Sequence, residues 1–153
     1  MKPAKVVGLL VIFVQMFSLL AFGLGLYTVY GVLTSSLGGE GLSFELDVDQ
    51  ATGKGILQVQ VNPSNPSYID ATLSLELSIL NSMGTPVASD LKSANLSPGS
   101  TEPFNIILEV SPEDLEELAR GEGSSLEIRI ELRTLYNLIG ISDTITIPQG
   151  GLK

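Results

Sequence analysis

Residues 6–33, VVGLLVIFVQMFSLLAFGLGLYTVYGVL, carry no charged side chain. No other feature limits the fold so strongly, because a run this long and this apolar has few stable places in water. As a helix rising ~1.5 Å per residue it would be about 42 Å long, more than the ~30 Å hydrocarbon core of a bilayer. Tyr27 and Tyr30 stand near its far end, and a ring bearing a hydroxyl suits the headgroup interface. The expectation is a single transmembrane helix over residues 6–33 in contact with the lipid bilayer. A secretory signal has an apolar region about half as long, and no small-x-small cleavage pattern follows cleanly, so the segment reads as an uncleaved anchor.

Charge sets the expected orientation. Lys2 and Lys5 precede the run, and the next basic residue is Lys54. Basic residues stay on the cytoplasmic side, which places residues 1–5 inside and the remainder outside. The chain has no Cys, so it has neither a lipoprotein thiol nor a disulfide framework, and the outer part must be held by packing alone. Within the span, Ala21 and Gly25 form a small-xxx-small pair, Gly31 and Ser35 a weaker one, and Gln15 is the strongly polar side chain. These are the candidates for transmembrane helix packing.

Beyond the span the composition changes. Residues 34–153 keep all 17 acidic groups but only six of the eight basic ones, a formal net charge of −11. Such a body repels phosphate backbones, so no nucleic acid is expected as a partner. TSSLGGEG, residues 34–41, reads as a short flexible linker. After it the hydrophobic period becomes two, as in a half-buried strand. Phe44, Leu46 and Val48 alternate with acids; Leu57, Val59 and Val61 alternate with Gln58 and Gln60; Leu73, Leu75, Leu77 and Ile79 alternate with polar residues. A weaker strand is expected over 87–91, then a polar loop, KSANLSPGST. Phe104, Ile106, Leu108 and Val110 form the next apolar face, followed by Leu126, Ile128, Ile130 and Leu132, and by Ile141, Ile145 and Ile147. One segment breaks the pattern: SPEDLEELARG has Ser111 as N-cap, Pro112 in the first turn, acids after it, Leu115, Leu118 and Ala119 on one face, and Gly121 as a stop. The sum is an all-β body over residues 42–148, a seven-stranded antiparallel two-sheet sandwich with one short helix, ending in a tail at 149–153.

VNPSNPSYID, residues 61–70, interrupts this pattern with two Asn-Pro pairs. Proline donates no ladder hydrogen bond and biases the residue before it toward extended geometry. The pairs therefore end the second strand and carry the chain across to the other sheet, with Asn62 and Asn65 able to bond neighbouring backbone.

These residues resemble the late-embryogenesis-abundant type-2 family, the water-stress domains of plants with archaeal and bacterial relatives. The likeness covers roughly residues 42–148. It rests on a strand ending in V-x-NP (Val59 to Pro63), the alternating run Leu73 to Ile79, a turn with Gly84 into VAS, LSPGST, and the apolar strand Phe104 to Val110. The resemblance implies a fibronectin-like sandwich behind one N-terminal membrane span, and no catalytic residues. The chain departs from the family in repeating Asn-Pro and in having few aromatic residues.

The residues offer little chemistry. Without His or Cys the commonest general base, the thiol nucleophile and the soft metal ligands are missing. No catalytic residue, cofactor or metal ligand is expected. DVDQATGKG places Asp47 and Asp49 like the first ligands of a calcium loop, but Ala51, Thr52 and Gln58 occupy the positions that follow, so it reads as a hairpin turn. Asn95 opens the sequon Asn95-Leu96-Ser97 and is a candidate glycosylation site in an expected exposed loop. The function expected is that of a non-enzymatic, membrane-anchored binding or protective surface module of the desiccation-related type, with an unidentified protein or envelope partner. Its rivals are a structural subunit of an archaeal surface filament, pilin-like or archaellum-stator-like, and an accessory subunit of a membrane complex.

Overall fold

The computed structural model describes residues 3–37, 42–114, 116 and 125–148. Helix α1 spans Pro3–Leu37. The strands that follow are β1 (Leu42–Val48), β2 (Gly55–Val61), β3 (Ala71–Leu80), β4 (Pro86–Leu96), β5 (Phe104–Val110), β6 (Ser125–Thr134) and β7 (Ile139–Pro148). They form two antiparallel sheets, ordered β1-β2-β5 and β4-β3-β6-β7. Alternation produces the core as expected. Val59 and Val61 of β2, Leu73 and Leu77 of β3, Ile106 and Leu108 of β5 and Leu132 of β6 are all essentially buried between the sheets. Burying each such side chain contributes on the order of 1.5–3 kcal/mol.

Two expected boundaries are corrected. The first is the C-terminal limit of the span at residue 33, with a flexible linker at 34–41. α1 instead runs through Leu37, and its last third is docked on the β body. Val32 is fully buried in the shared core, and Gly25, Thr28, Gly31 and Ser36 are buried on the same side. Residues 25–36 therefore have one face covered by the β body. The linker signal misled because Ser and Thr satisfy themselves inside a helix by bonding the preceding turn. Thr34 Oγ1 donates to the Tyr30 carbonyl at 2.9 Å, and Ser36 Oγ to that of Val32 at 2.7 Å. The second half of the linker, residues 38–41, lies outside the described residues.

The second correction concerns KSANL, expected as loop. It is the C-terminal half of β4. β4 is an edge strand that follows the long β3 along its whole length, with Ala71 opposite Leu96. Polar side chains dominate there because that face meets water, and cross-strand pairs replace apolar alternation. Ser74 Oγ and Ser93 Oγ are 2.8 Å apart, and Thr72 Oγ1 donates to Asn95 Oδ1 at 3.0 Å.

At the other edge, β7 carries Ile139, Ile141, Ile145 and Ile147 on the face it shares with the inner residues of β6, as the register shows. Ile141 and Ile145 stay partly open to solvent. Asp143 occupies the same row opposite Ile130 and is exposed, and a charge on an edge strand discourages edge pairing. Of the expected short helix, residues 112–114 and Glu116 are helical. Its N-cap is in place: Ser111 Oγ accepts from the Asp114 amide at 3.1 Å and donates to the Asp114 carboxylate at 2.6 Å. Leu115, Leu118, Ala119 and Gly121 lie outside the described residues, as do residues 1–2 and the tail at 149–153.

Candidate functional site

The antiparallel order places three described connections, β2–β3, β4–β5 and β6–β7, at the end of the body where α1 docks. This end holds the site, and it is assembled from small residues. A Cβ on Gly25 would meet Ile139 Cδ1 head-on and lie 3.1 Å from Leu135 Cδ1, while one on Gly31 would lie 2.9 Å from the Pro66 ring. Ser35 Oγ donates to the Ser64 carbonyl at 2.7 Å. The helix thus approaches the body as closely as it does because Gly25 and Gly31 have no side chains. Half-buried Ala21 and Leu24 extend the same face toward the N-terminus.

The repeated Asn-Pro segment is the other half of this joint. β2 ends at Val61 in one sheet and β3 begins at Ala71 in the other, so the segment makes the expected crossing. Asn65 is fully buried and uses every polar group it has. Its Nδ2 donates to the carbonyls of Ile69 and Leu96 at 2.8 and 2.9 Å. Its Oδ1 accepts from the Ser67 amide and hydroxyl at 3.1 and 2.6 Å. Its amide donates to the Ser100 carbonyl, and its own carbonyl accepts from the Gly99 amide. Asn65 therefore ties the β2–β3 connection to the end of β4 through its side chain and to the β4–β5 loop through its backbone, and the proline after it rests on the helix. Thr134 Oγ1 adds a third tie, donating to the Asp70 carbonyl at 2.7 Å.

Beside this clasp lies a cleft of about 340 Å³ lined by Tyr68, Asp70, Pro98, Arg133, Tyr136 and Asn137, among others. Among its described lining residues the cation is Arg133, engaged by the Glu131 carboxylate, with Nε donating at 2.7 Å. The β6–β7 tip that forms one wall is backbone-strained. Leu135, Tyr136 and Asn137 have φ of 52°, 55° and 67°, the left-handed region that costs roughly 1–2 kcal/mol for most L residues and less for Asn. The Leu138 amide donates to the Leu135 carbonyl at 3.0 Å and closes the turn. Tyr136 and Leu138 point away from the body, 99% and 83% exposed.

The residues singled out from the sequence fall in three places. Gln15 is on the exposed part of α1. Ala21 is half-buried and Gly25 buried, with Leu135 and Ile139 of the same chain over Gly25. Asn95 sits in the edge strand β4, exposed, with its Oδ1 held by Thr72. Asp47 lies within β1, opposite Ile56, and Asp49 builds the hairpin turn that follows. Asp49 accepts from the Thr52 hydroxyl at 2.6 Å and the Ala51 amide at 2.9 Å, and these bonds, the Thr52 hydroxyl foremost, hold its carboxyl below the usual carboxylate range. Lys54 pairs with Glu109 at 3.2 Å across exposed surface. Among the described residues no three acidic side chains come together as metal ligands. Sequence reasoning missed Asn65 as the central clasp. The one signal available was that an Asn-Pro pair is repeated where a single pair would end a strand.

No family model matches the sequence, and no curated protein matches it either. Solved structures do resemble the fold. A calcium-binding mutant of Bacteroides uniformis beta-glucuronidase 2 matches with a TM-score of 0.50 and 18% identity over 72% of this chain, which spans 13% of that one. A glycosyl hydrolase family 2 member from Bacteroides cellulosilyticus matches at 0.44 and 18% over 72% of this chain and 15% of its own. A protein from Archaeoglobus fulgidus matches at 0.44 and 13% over 71% of this chain and 91% of its own. This chain thus spans a small fraction of the glycosidases it resembles, and the likeness to the first of these is one of fold alone.

Proposed function

We propose that this is a single-span membrane protein whose fibronectin-like sandwich, of the water-stress type, is displayed outside the cell as a non-catalytic binding or protective module. The observation that carries the reading is the bare half of α1. Every large apolar side chain over residues 7–20 is between 47% and 77% exposed, a continuous apolar surface that a protein wholly in water does not maintain. Bilayer contact is assigned to residues 6–24, because the face beyond is taken up by the body. The missing His and Cys, and a cleft whose cation is already paired, support a module that acts by contact. The glycosidase likeness brings no activity here, since it concerns a minor portion of those chains.

Fractionation of the full-length chain tests this reading. Alkaline carbonate should leave it in the membrane pellet, and protease added outside sealed cells should remove the β body. Release into the soluble fraction without detergent overturns the proposal. The exposed helix half also supports a second reading, in which several such helices bundle in the core of a surface filament. N-terminal sequencing separates the two: a start at Met1 favours the anchor, and a start inside the first ten residues favours the filament.

A further inference from the structure

The anchor reading leaves the loop tips at the helix end without a role, and their chemistry is specific. We infer that the β6–β7 tip, through Tyr136 and Leu138, seats in the headgroup interface of the outer leaflet, so that the body rests on lipid at a second point beside its helix. This inference deepens the anchor reading and depends on it.

The first argument is length. From Lys5, the last charge before the span, to Gly25 is 20 residues, about 30 Å of helix and equal to the hydrocarbon thickness. Gly25 is also where Leu135 and Ile139 meet the helix. The helix therefore leaves the hydrocarbon at the level where the β6–β7 tip begins. The 35-residue helix is longer than a membrane requires because its surplus is docked on the body.

Aromatic placement gives a second argument. The chain has four Tyr and no Trp, and all four Tyr lie at this end. Tyr27 and Tyr30 are on the docked part of α1, while Tyr68 and Tyr136 line the same cleft. Each is at least half exposed. An acidic sandwich with its tyrosines gathered at one end, in the open, has the pattern of an interfacial belt.

Charge supplies the third. The β6–β7 tip, residues 135–138, contains no charged side chain, and the neighbouring connections, 62–70 and 97–103, carry one acid each, Asp70 and Glu102, although the body as a whole carries a large negative excess. A surface facing anionic headgroups must be free of carboxylates at the point of contact, and this one is. Glu113 and Asp114, just past the end of β5, belong to the opposite end. Three successive left-handed residues at 135–137 hold an aromatic and an aliphatic side chain outward at a cost in backbone strain, which marks a position with a use.

The absence of Trp makes the test clean. Three single-Trp variants of the full-length chain, Phe17→Trp, Tyr136→Trp and Met83→Trp, are placed in phosphatidylcholine–phosphatidylglycerol vesicles with lipids brominated at graded depths. Phe17→Trp reports the span and should be quenched most by deep bromines. Tyr136→Trp should be blue-shifted and quenched at least half as strongly, by bromines nearest the headgroups. Met83→Trp, on the opposite β3–β4 turn, should keep the emission of a solvated indole. If Phe17→Trp is quenched and Tyr136→Trp responds only to an aqueous quencher, the seat is refuted and the anchor stands; that tip is then free for a protein partner. If Phe17→Trp is not quenched, the anchor itself fails and the seat fails with it.

Discussion

Replacing Asn65 with Ala should destabilise the protein more than any other single polar substitution at the helix end. The side chain is fully buried and makes four hydrogen bonds, three to Ser67 and Ile69 of its own loop and one to the Leu96 carbonyl at the end of β4. After truncation the Ser67 hydroxyl is free to turn to the Ile69 carbonyl, 3.1 Å away, which rescues one acceptor. The Leu96 carbonyl and the Ser67 amide lose the partner Asn65 gave them. Two such groups at roughly 1–3 kcal/mol each give a loss of about 2–6 kcal/mol, a large share of the ~5–15 kcal/mol that holds a typical domain together. Asn62 is the internal control, since it stands in the same Asn-Pro context, is half-buried, and has no side-chain hydrogen bond to a described residue. Its Ala variant should lose under about 1 kcal/mol. Urea titration of the full-length protein in mild detergent, followed by far-ultraviolet circular dichroism, reads both. Equal midpoints for the two variants, or an Asn65→Ala midpoint matching the parent, would refute the clasp.

Two further outcomes follow from the joint and the distal turn. Gly25→Leu should force Ile139 and Leu135 aside and cost about 1–3 kcal/mol by overpacking, exposing the junction to protease, whereas Gly23→Leu, where nothing lies within 4 Å of the added Cβ, should leave protease resistance unchanged. Asp49, held below the ordinary carboxylate value by the Thr52 hydroxyl and the Ala51 amide, binds its proton less readily folded than unfolded. Its ionised form thus favours the turn above the unfolded value, and that contribution is lost as pH falls through the lower folded value. Carbon-detected titration should find Asp49 ionising at lower pH than in an unstructured peptide of residues 47–55, and Thr52→Val should raise it.

The strands were legible because burial on one face imposes a period of two, and the apolar runs of β2, β3, β5 and β6 keep it. β4 was half missed for the converse reason: Lys92, Ser93 and Asn95 meet water on an edge, so pairing with β3 and not burial holds them extended. The end of the helix was misplaced because Thr34, Ser35 and Ser36 are as compatible with a helix that feeds its own carbonyls as with a coil. Asn65 was read as a local turn-former, and nothing in NPSNPS distinguishes that from a buried residue whose partners, Leu96 and Ser100, lie more than thirty positions away.

The docking face of α1 escaped notice for a more general reason. An amphipathic helix announces its buried side by polarity, but a helix that leaves a membrane and enters a protein core is apolar on every side. What distinguishes the two environments is then side-chain size. Ala21, Gly25, Thr28, Val32 and Ser36 recur at spacings of four, three, four and four, one stripe of a helix, and each is smaller than the Leu, Phe and Tyr residues that flank it. The same rule that brings membrane helices together, close approach through small residues, here brings a helix against a β-sandwich. A pair such as Ala21 and Gly25 therefore does not specify what it packs on. The geometry of Ile139 and Leu135 over Gly25 does, and under the anchor reading proposed above it couples the tilt of the helix to that of the body.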